Sequence, residues 1–328
     1  MMYIHGWKHN GDRGDEDRKR FGELVDKLSA ANLHKKQVLG VFIGWNAKPR
    51  LFPLTLPYLE NLTFWSKKQV ADRIAQSAVV TKIVGAVGAV LNQSQSGKDQ
   101  FVAIGHSFGA RLLFSATGQT LIYQTEYNHP GYPGGRYKPI RGPADAIILL
   151  NPAFEASLFT AINDASRHEE RFDSQLPLLV SISSVGDLAT KKAFPVGQWL
   201  DSYRSEREMT TLGHYHRFQT HVLYPSTYET CFRNRFSTDE TFFASGLCFA
   251  RIPKTPSLGL AESYPHNPFL VASTSEDVIK DHNDIWGDQF SSWLFDFVNA
   301  LQRRLPAHRI GLEDQAVNPG ARSSRCQS

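Results

Sequence analysis

The sequence has little cysteine, little methionine and no strong excess of either charge: 3 Cys, 3 Met, and 36 Lys and Arg against 32 Asp and Glu in 328 residues. A formal charge of +4 gives no electrostatic basis for binding nucleic acid. Cys231, Cys248 and Cys326 lack metal or redox spacing, and their odd number permits at most one internal disulfide; none is expected. Long apolar runs are missing as well. The longest, from Ala78 to Leu91, is too short to cross a bilayer and carries Lys82, so no transmembrane helix is predicted. The start does not resemble a secretory leader, because Met1 to Ile4 gives way at once to His5, Lys8 and a charge-dense segment. That predicts a cytoplasmic protein, unless further sequence precedes residue 1. No fixed-period repeat is present, which sets solenoids and propellers aside, and 41% hydrophobic residues exclude wholesale disorder.

What is present is an alternation of element types. Short apolar runs end in Gly, Ser, Asn or Asp: Met2 to Ile4, Val38 to Ile43, Phe101 to Ile104, Ala146 to Leu150, Leu178 to Ser183 and Phe269 to Ala272. Segments of helical period lie between them. Phe21, Leu24, Val25 and Leu28 form one stripe; Phe290, Trp293, Leu294, Phe297, Val298 and Leu301 form the clearest, with Pro306 just beyond. Ser66 with Gln69 suggests a capping box that starts another helix. Continuous apolar strands alternating with helices predict an α/β fold, doubly wound around a mainly parallel sheet of about six strands. Chemistry in such folds sits at the carboxyl ends of strands. Two stretches interrupt the pattern: Tyr123 to Pro143, read as a long loop, and 193–268, read as a lid or inserted subdomain before the last strand. Residues 1–310 are expected to form one domain, with a disordered tail over 311–328.

The strand from Phe101 runs straight into Gly105, His106, Ser107, Phe108 and Gly109, and helical sequence follows. This is G-x-S-x-G between a strand and a helix, a sharp turn that projects a serine hydroxyl above the sheet. The bare pattern arises by chance about once in ten chains of this length, so the context carries the assignment. Ser107 is the candidate nucleophile. A P-loop or dinucleotide site does not fit, because no second glycine pattern or lysine follows.

On these residues the chain resembles the α/β-hydrolase fold superfamily, of the serine esterase and lipase type. The resemblance spans about residues 1–305 and implies several further assignments. His5, Gly6 and Trp7 are similar to the His-Gly segment of such enzymes, which implies an oxyanion hole built from the N–H groups of Trp7 and Phe108. The family order, nucleophile then acid then histidine, implies Asp187 as the acid, after the strand Leu178 to Ser183. A turn or N-cap aspartate before Leu188 is the plainer reading of Asp187. Glu155, after Asn151 and Pro152, is the alternative acid. His282, between the last strand and the last helix, is the implied general base.

The resemblance implies hydrolysis of a small-molecule ester, or a related acyl bond, through an acyl-enzyme and without metal or organic cofactor. Thioesterases, amidases and acyltransferases use the same residues, and a catalytically silent binding protein is the alternative of a different class. Two strands normally precede the one bearing the His-Gly segment. Their lack predicts coding sequence upstream of residue 1, and places Val38 to Ile43 at an exposed sheet edge. The remaining features have plain readings. His214, His216 and His221 lack a nearby cysteine or carboxylate in metal spacing and suggest a polar or substrate-proximal role. His106 is expected to pack or hydrogen-bond within the turn. Tyr224, Tyr228, Phe232, Phe236, Phe242, Phe243 and Phe249 read as packing of the inserted segment, with an acyl pocket or transient lipid contact as the sharper alternative.

Overall fold

The computed structural model describes residues 1–7, 9–31, 37–47, 57–92, 99–128, 140–166, 175–193, 205–233, 241–252 and 266–317; for 57–66, 92, 192–193 and 305–317 only the backbone course is described. The apolar runs form strands β1 (Met2–Ile4), β2 (Val41–Ile43), β3 (Val102–His106), β4 (Ala146–Leu150) and β5 (Leu179–Ser184). Beyond these come β6 (His221–Pro225), β7 (Phe242–Ala244), β8 (Leu247–Arg251) and β9 (Phe269–Thr274). They make one nine-stranded sheet in the order β2-β1-β3-β4-β5-β9-β6-β8-β7, parallel except where β8 pairs with β6 and β7. The sheet is therefore larger than the expected six strands. In its described part, 193–268 contributes β6, β7 and β8 to the sheet itself.

Each central strand is buried on both faces, which is why its sequence reads as an unbroken apolar run. Alternate side chains enter separate cores. Met2, Ile4, Ala103, Ile147, Leu149 and Val271 pack under helices α2 (Pro57–Gln76), α3 (Val79–Asn92), α4 (Phe108–Tyr127) and α5 (Thr160–Ala165). Tyr3, Ile104, Ile148, Ile182 and Ala272 face α1 (Glu16–Ala30) and α6 (Asp288–Val317). The two predicted stripes supply the second core, with Phe21, Leu24 and Leu28 from α1 and Phe290, Trp293, Leu294, Phe297, Val298 and Leu301 from α6. Asp15 caps α1 by accepting the N–H of Asp17, and Glu16 and Asp17 lie in its first turn, where the helix dipole favours negative charge.

Helix boundaries depart from the sequence expectation in three helices. α2 is already under way at Ser66, so no capping box begins there. α4 continues to Tyr127, which shortens the expected loop from Tyr123; 129–139 lie outside the described residues. α6 passes through Pro306 and reaches Val317, so 311–317 are helical, and 318–328 lie outside the described residues. The bent pair Lys67–Gln76 and Val79–Leu91 meets at 52°, and among the described residues no single helix is long and apolar enough to cross a membrane.

The aromatic stretch mostly packs. Phe242 and Phe249 lie against Trp293 and Phe297 of α6, and Phe249 stacks on His221; Tyr228 is exposed, and Phe236 lies outside the described residues. A second correction concerns cysteine. Cys231 and Cys248 are joined, both buried, tying the short helix Tyr228–Arg233 to β8. Cross-linking across 17 residues restricts the unfolded chain and is worth about 3 kcal/mol. Replacing both cysteines by serine is expected to lower the unfolding free energy by about that amount in urea titrations. Equal stability of the two proteins, or three free thiols in the unreduced denatured chain, would contradict the bridge.

Candidate active site

The strand order reverses direction about β1, since β2 lies on one side of it and β3 on the other. Such a switch point opens a crevice at the carboxyl ends of the strands. Four strand ends converge there. β1 leads to His5–Trp7, β3 to Ser107, β5 to Asp187 and β9 to the loop bearing His282.

Ser107 has φ 55° and ψ −121°, a conformation that costs about 1–3 kcal/mol for a residue with a side chain. Its backbone is pinned from both sides. The Ser107 N–H donates to Leu150 O at 3.0 Å, while its carbonyl accepts from Ala153 N–H at 3.2 Å and Arg111 N–H at 3.3 Å. The neighbouring glycines are required by close approach. A Cβ on Gly109 would lie 2.1 Å from Ile4 O, so only glycine lets the start of α4 press on the end of β1. A Cβ on Gly6 would meet Ser107 Cβ at 2.8 Å, which sets the turn before Trp7 against the serine. Gly105 is similarly crowded by Ala110.

His5 shapes that turn. Its buried ring stacks on Trp45 and Phe42, accepts Trp45 N–H at Nε2, and donates from Nδ1 to Gly6 O at 2.8 Å. Because the Gly6–Trp7 peptide is trans, fixing the Gly6 carbonyl toward His5 directs the Trp7 N–H the opposite way. Phe108, the other predicted donor, is the first residue of α4 and directly follows Ser107.

The three predicted side chains meet. Ser107 Oγ lies 2.7 Å from His282 Nε2, and His282 Nδ1 lies 2.7 Å from Asp187 Oδ2. Asp187 is fully buried. Burial alone would push its carboxyl up, but the charge and hydrogen bond of His282, together with two bonds from Thr190, hold it at about 2. An ionised Asp187 can only accept, so His282 Nδ1 donates, and Nε2 is left to accept the serine proton. Asp187 is also the N-cap of the plainer reading: its Oδ1 accepts the N–H of Thr190 at 3.0 Å. The two readings coexist in one carboxylate.

Glu155 is engaged elsewhere. Its oxygens face Lys68 at 3.0 Å and Arg111 at 2.7 Å, and Asp72 pairs with both cations. Burial would raise the Glu155 carboxyl; Arg111 and then Lys68 outweigh it and bring it to about 2. It takes no part in the chain from Ser107 to Asp187.

Several supporting groups are not evident from the spacing alone. Asn151, at φ 42°, donates from Nδ2 to His282 O at 3.0 Å and accepts Ser184 N–H at 2.9 Å, joining the ends of β4 and β5 to the histidine loop. His106 donates from Nε2 to the same carbonyl at 2.8 Å, so its bond leaves the serine turn, where it was expected, and ties that turn to the histidine loop. Thr190 and His214 stand behind Asp187. The only signal for Asn151 was its place before Pro152 at a strand end. Among the described residues no group of three His, Cys, Asp or Glu is arranged to hold a metal ion. Comparison of the chain with protein-family models, curated proteins and solved structures found no match.

Two buried histidines make acid lability legible. Burial, then the charge of His282, lowers His106 to about 4, and burial, then Arg251, lowers His221 to about 3, both from 6.5. The unfolded chain therefore binds protons that the folded one refuses, and stability falls as pH drops below 6.5 and through those values. The ionised Asp187 and Glu155 add to the loss below about 4, as pH falls toward 2. In denaturant titrations, His221→Phe, which keeps the stack on Phe249, is expected to flatten the decline between pH 6.5 and 3. An unchanged slope would contradict a neutral buried His221.

Proposed function

We propose that the protein is a serine hydrolase of the α/β-hydrolase type that cleaves a carboxylic ester, or a related acyl bond, through an acyl-enzyme. The observation that carries this reading is the continuous hydrogen-bond chain from Ser107 through His282 to a buried, ionised Asp187. The strand order supports it, with the His-Gly turn, the serine turn, the acid and the histidine each following a different strand of one parallel sheet.

In the mechanism, His282 Nε2 takes the Ser107 proton as Oγ attacks the acyl carbonyl. Asp187 holds the ring in the Nδ1–H tautomer and stabilises the imidazolium. The developing oxyanion is received by the N–H groups of Trp7 and Phe108, whose peptides flank Ser107. The imidazolium then protonates the leaving alcohol. Water, deprotonated by the same ring, attacks the acyl-serine and releases the acid. These steps draw on side chains and backbone amides alone.

Hydrolysis of a short-chain aryl ester tests the reading. Ser107→Ala and His282→Ala are each expected to lower kcat about 10⁴-fold or more, because members of such a set act as a unit. Wild-type turnover by either variant would overturn the assignment. Asp187→Asn should cost about 10³–10⁴-fold in kcat, whereas Glu155→Gln should act on stability and leave kcat within about threefold. The reverse ranking would make Glu155 the orienting acid.

A further inference from the structure

Asp187 Oδ2, the oxygen that receives His282 Nδ1–H, also ends a second hydrogen-bond chain. Thr190 Oγ1 lies 2.5 Å from Asp187 Oδ2, and His214 Nε2 lies 3.1 Å from Thr190 Oγ1. Thr190 is buried and His214 half-buried. The directions of these bonds follow from counting protons. An ionised carboxylate only accepts, so the single Thr190 hydroxyl proton points at Asp187, and Oγ1 must then accept from His214. His214 Nε2 therefore carries hydrogen.

The fold holds His214 in place by close approach. It ends the 3-10 turn Leu212–His214, where a Cβ on Gly213 would lie 1.8 Å from Ser183 Oγ of β5. Gln219 donates to Gly213 O at 3.1 Å, and Leu212 N–H donates to Phe154 O at 3.1 Å. These contacts dock the turn on β5 directly beside the acid.

We propose that Thr190 and His214 form a positioning relay, in which His214 fixes the Thr190 hydroxyl and that hydroxyl fixes Asp187 in the orientation that receives His282 Nδ1–H. The inference rests on the hydrolase reading above and extends the Ser107 chain to five residues. Neither Thr190 nor His214 touches the reacting atoms. Burial lowers the His214 pKa although the charge and a backbone bond of Asp187 raise it; Lys191 and His216, among the described residues, also oppose a charge on its ring. The neutral Nε2–H form is the one the relay uses.

Two readouts test it. Histidine ¹⁵N NMR of the wild type at pH 7.5 is expected to show His214 as the Nε2–H tautomer and His282 as the Nδ1–H tautomer; an Nδ1–H tautomer at His214 would overturn the relay whatever the activity. In kinetics, Thr190→Val removes one donor to a charged acceptor, which should lower kcat about tenfold with KM within about twofold. With less competition for Asp187, the acidic limb of the kcat/KM profile should move to higher pH by about half a unit. Thr190→Ser should restore both. His214→Gln, which retains an amide donor, should stay close to wild type, while His214→Phe should follow Thr190→Val.

A loss of rate in Thr190→Val with an unmoved limb, or Thr190→Ser no better than Thr190→Val, would mean a merely structural role. If Thr190→Val does not fold, the His214→Gln and His214→Phe pair carries the same decision. The Ser107→Ala control separates the two levels of the account: activity persisting there defeats the hydrolase reading, whereas an inactive Ser107→Ala with unchanged His214→Phe profiles defeats only the relay.

Discussion

The fully buried carboxylate of Asp187 is the constraint around which the carboxyl end of the sheet is arranged. An ionised group removed from water must be given donors, and leaving it with one too few is more damaging than never having buried it. Its oxygens take the Thr190 N–H and hydroxyl and the His282 Nδ1–H. The two donor residues come from different backbone arrangements. Thr190 requires the turn after β5 to close into the π-turn Ala189–Ala193, and His282 requires the loop after β9 to lie across the ends of β4 and β5.

That loop carries no regular hydrogen-bond ladder at His282, so its position depends on side chains that reach its carbonyl. Asn151 and His106 both do so, from β4 and β3. Ser184 adds a hydroxyl bond to Ile279 O. The left-handed backbone of Asn151 and the unusual backbone of Ser107 are stabilised by the same ladder ends, since Ser107 N–H bonds Leu150 O and Asn151 N–H bonds Ile182 O. Local strain at the serine is thus offset by the rigidity of three adjacent parallel strands.

The central sheet and the serine turn were legible because their physics is local. Strands buried on both faces must be apolar throughout, as Ala146 to Leu150 is, and Gly105 and Gly109 flank Ser107 where an added Cβ would clash with backbone. The meeting of Ser107, Asp187 and His282 was legible only through family order, as their separation in sequence is closed by topology. Features that depend on tertiary company were missed. β6 carries His221 and Tyr224 among its apolar residues and is stabilised by β9 and β8, which no local pattern reports. The Cys231–Cys248 bridge joins the short helix Tyr228–Arg233 to β8, a proximity set by tertiary pairing and not by cysteine spacing. Pro306 lies within a helix whose preceding turns are anchored by Trp293 and Phe297, so packing overrode its local preference. Thr190 gave no signal, and His214 read only as a polar residue of the inserted segment, because one hydroxyl and one imidazole acquire this meaning only beside a buried acid.

The central claim is that Ser107 is an activated nucleophile. Incubation of the folded protein with a fluorophosphonate, followed by intact-mass measurement and peptide mapping, tests it most directly, because the reagent phosphonylates a serine only where a neighbouring base removes its proton. The account predicts one adduct per chain, located on Ser107 and lost in His282→Ala. Absence of an adduct on the folded protein, or an adduct that persists in Ser107→Ala, would contradict it.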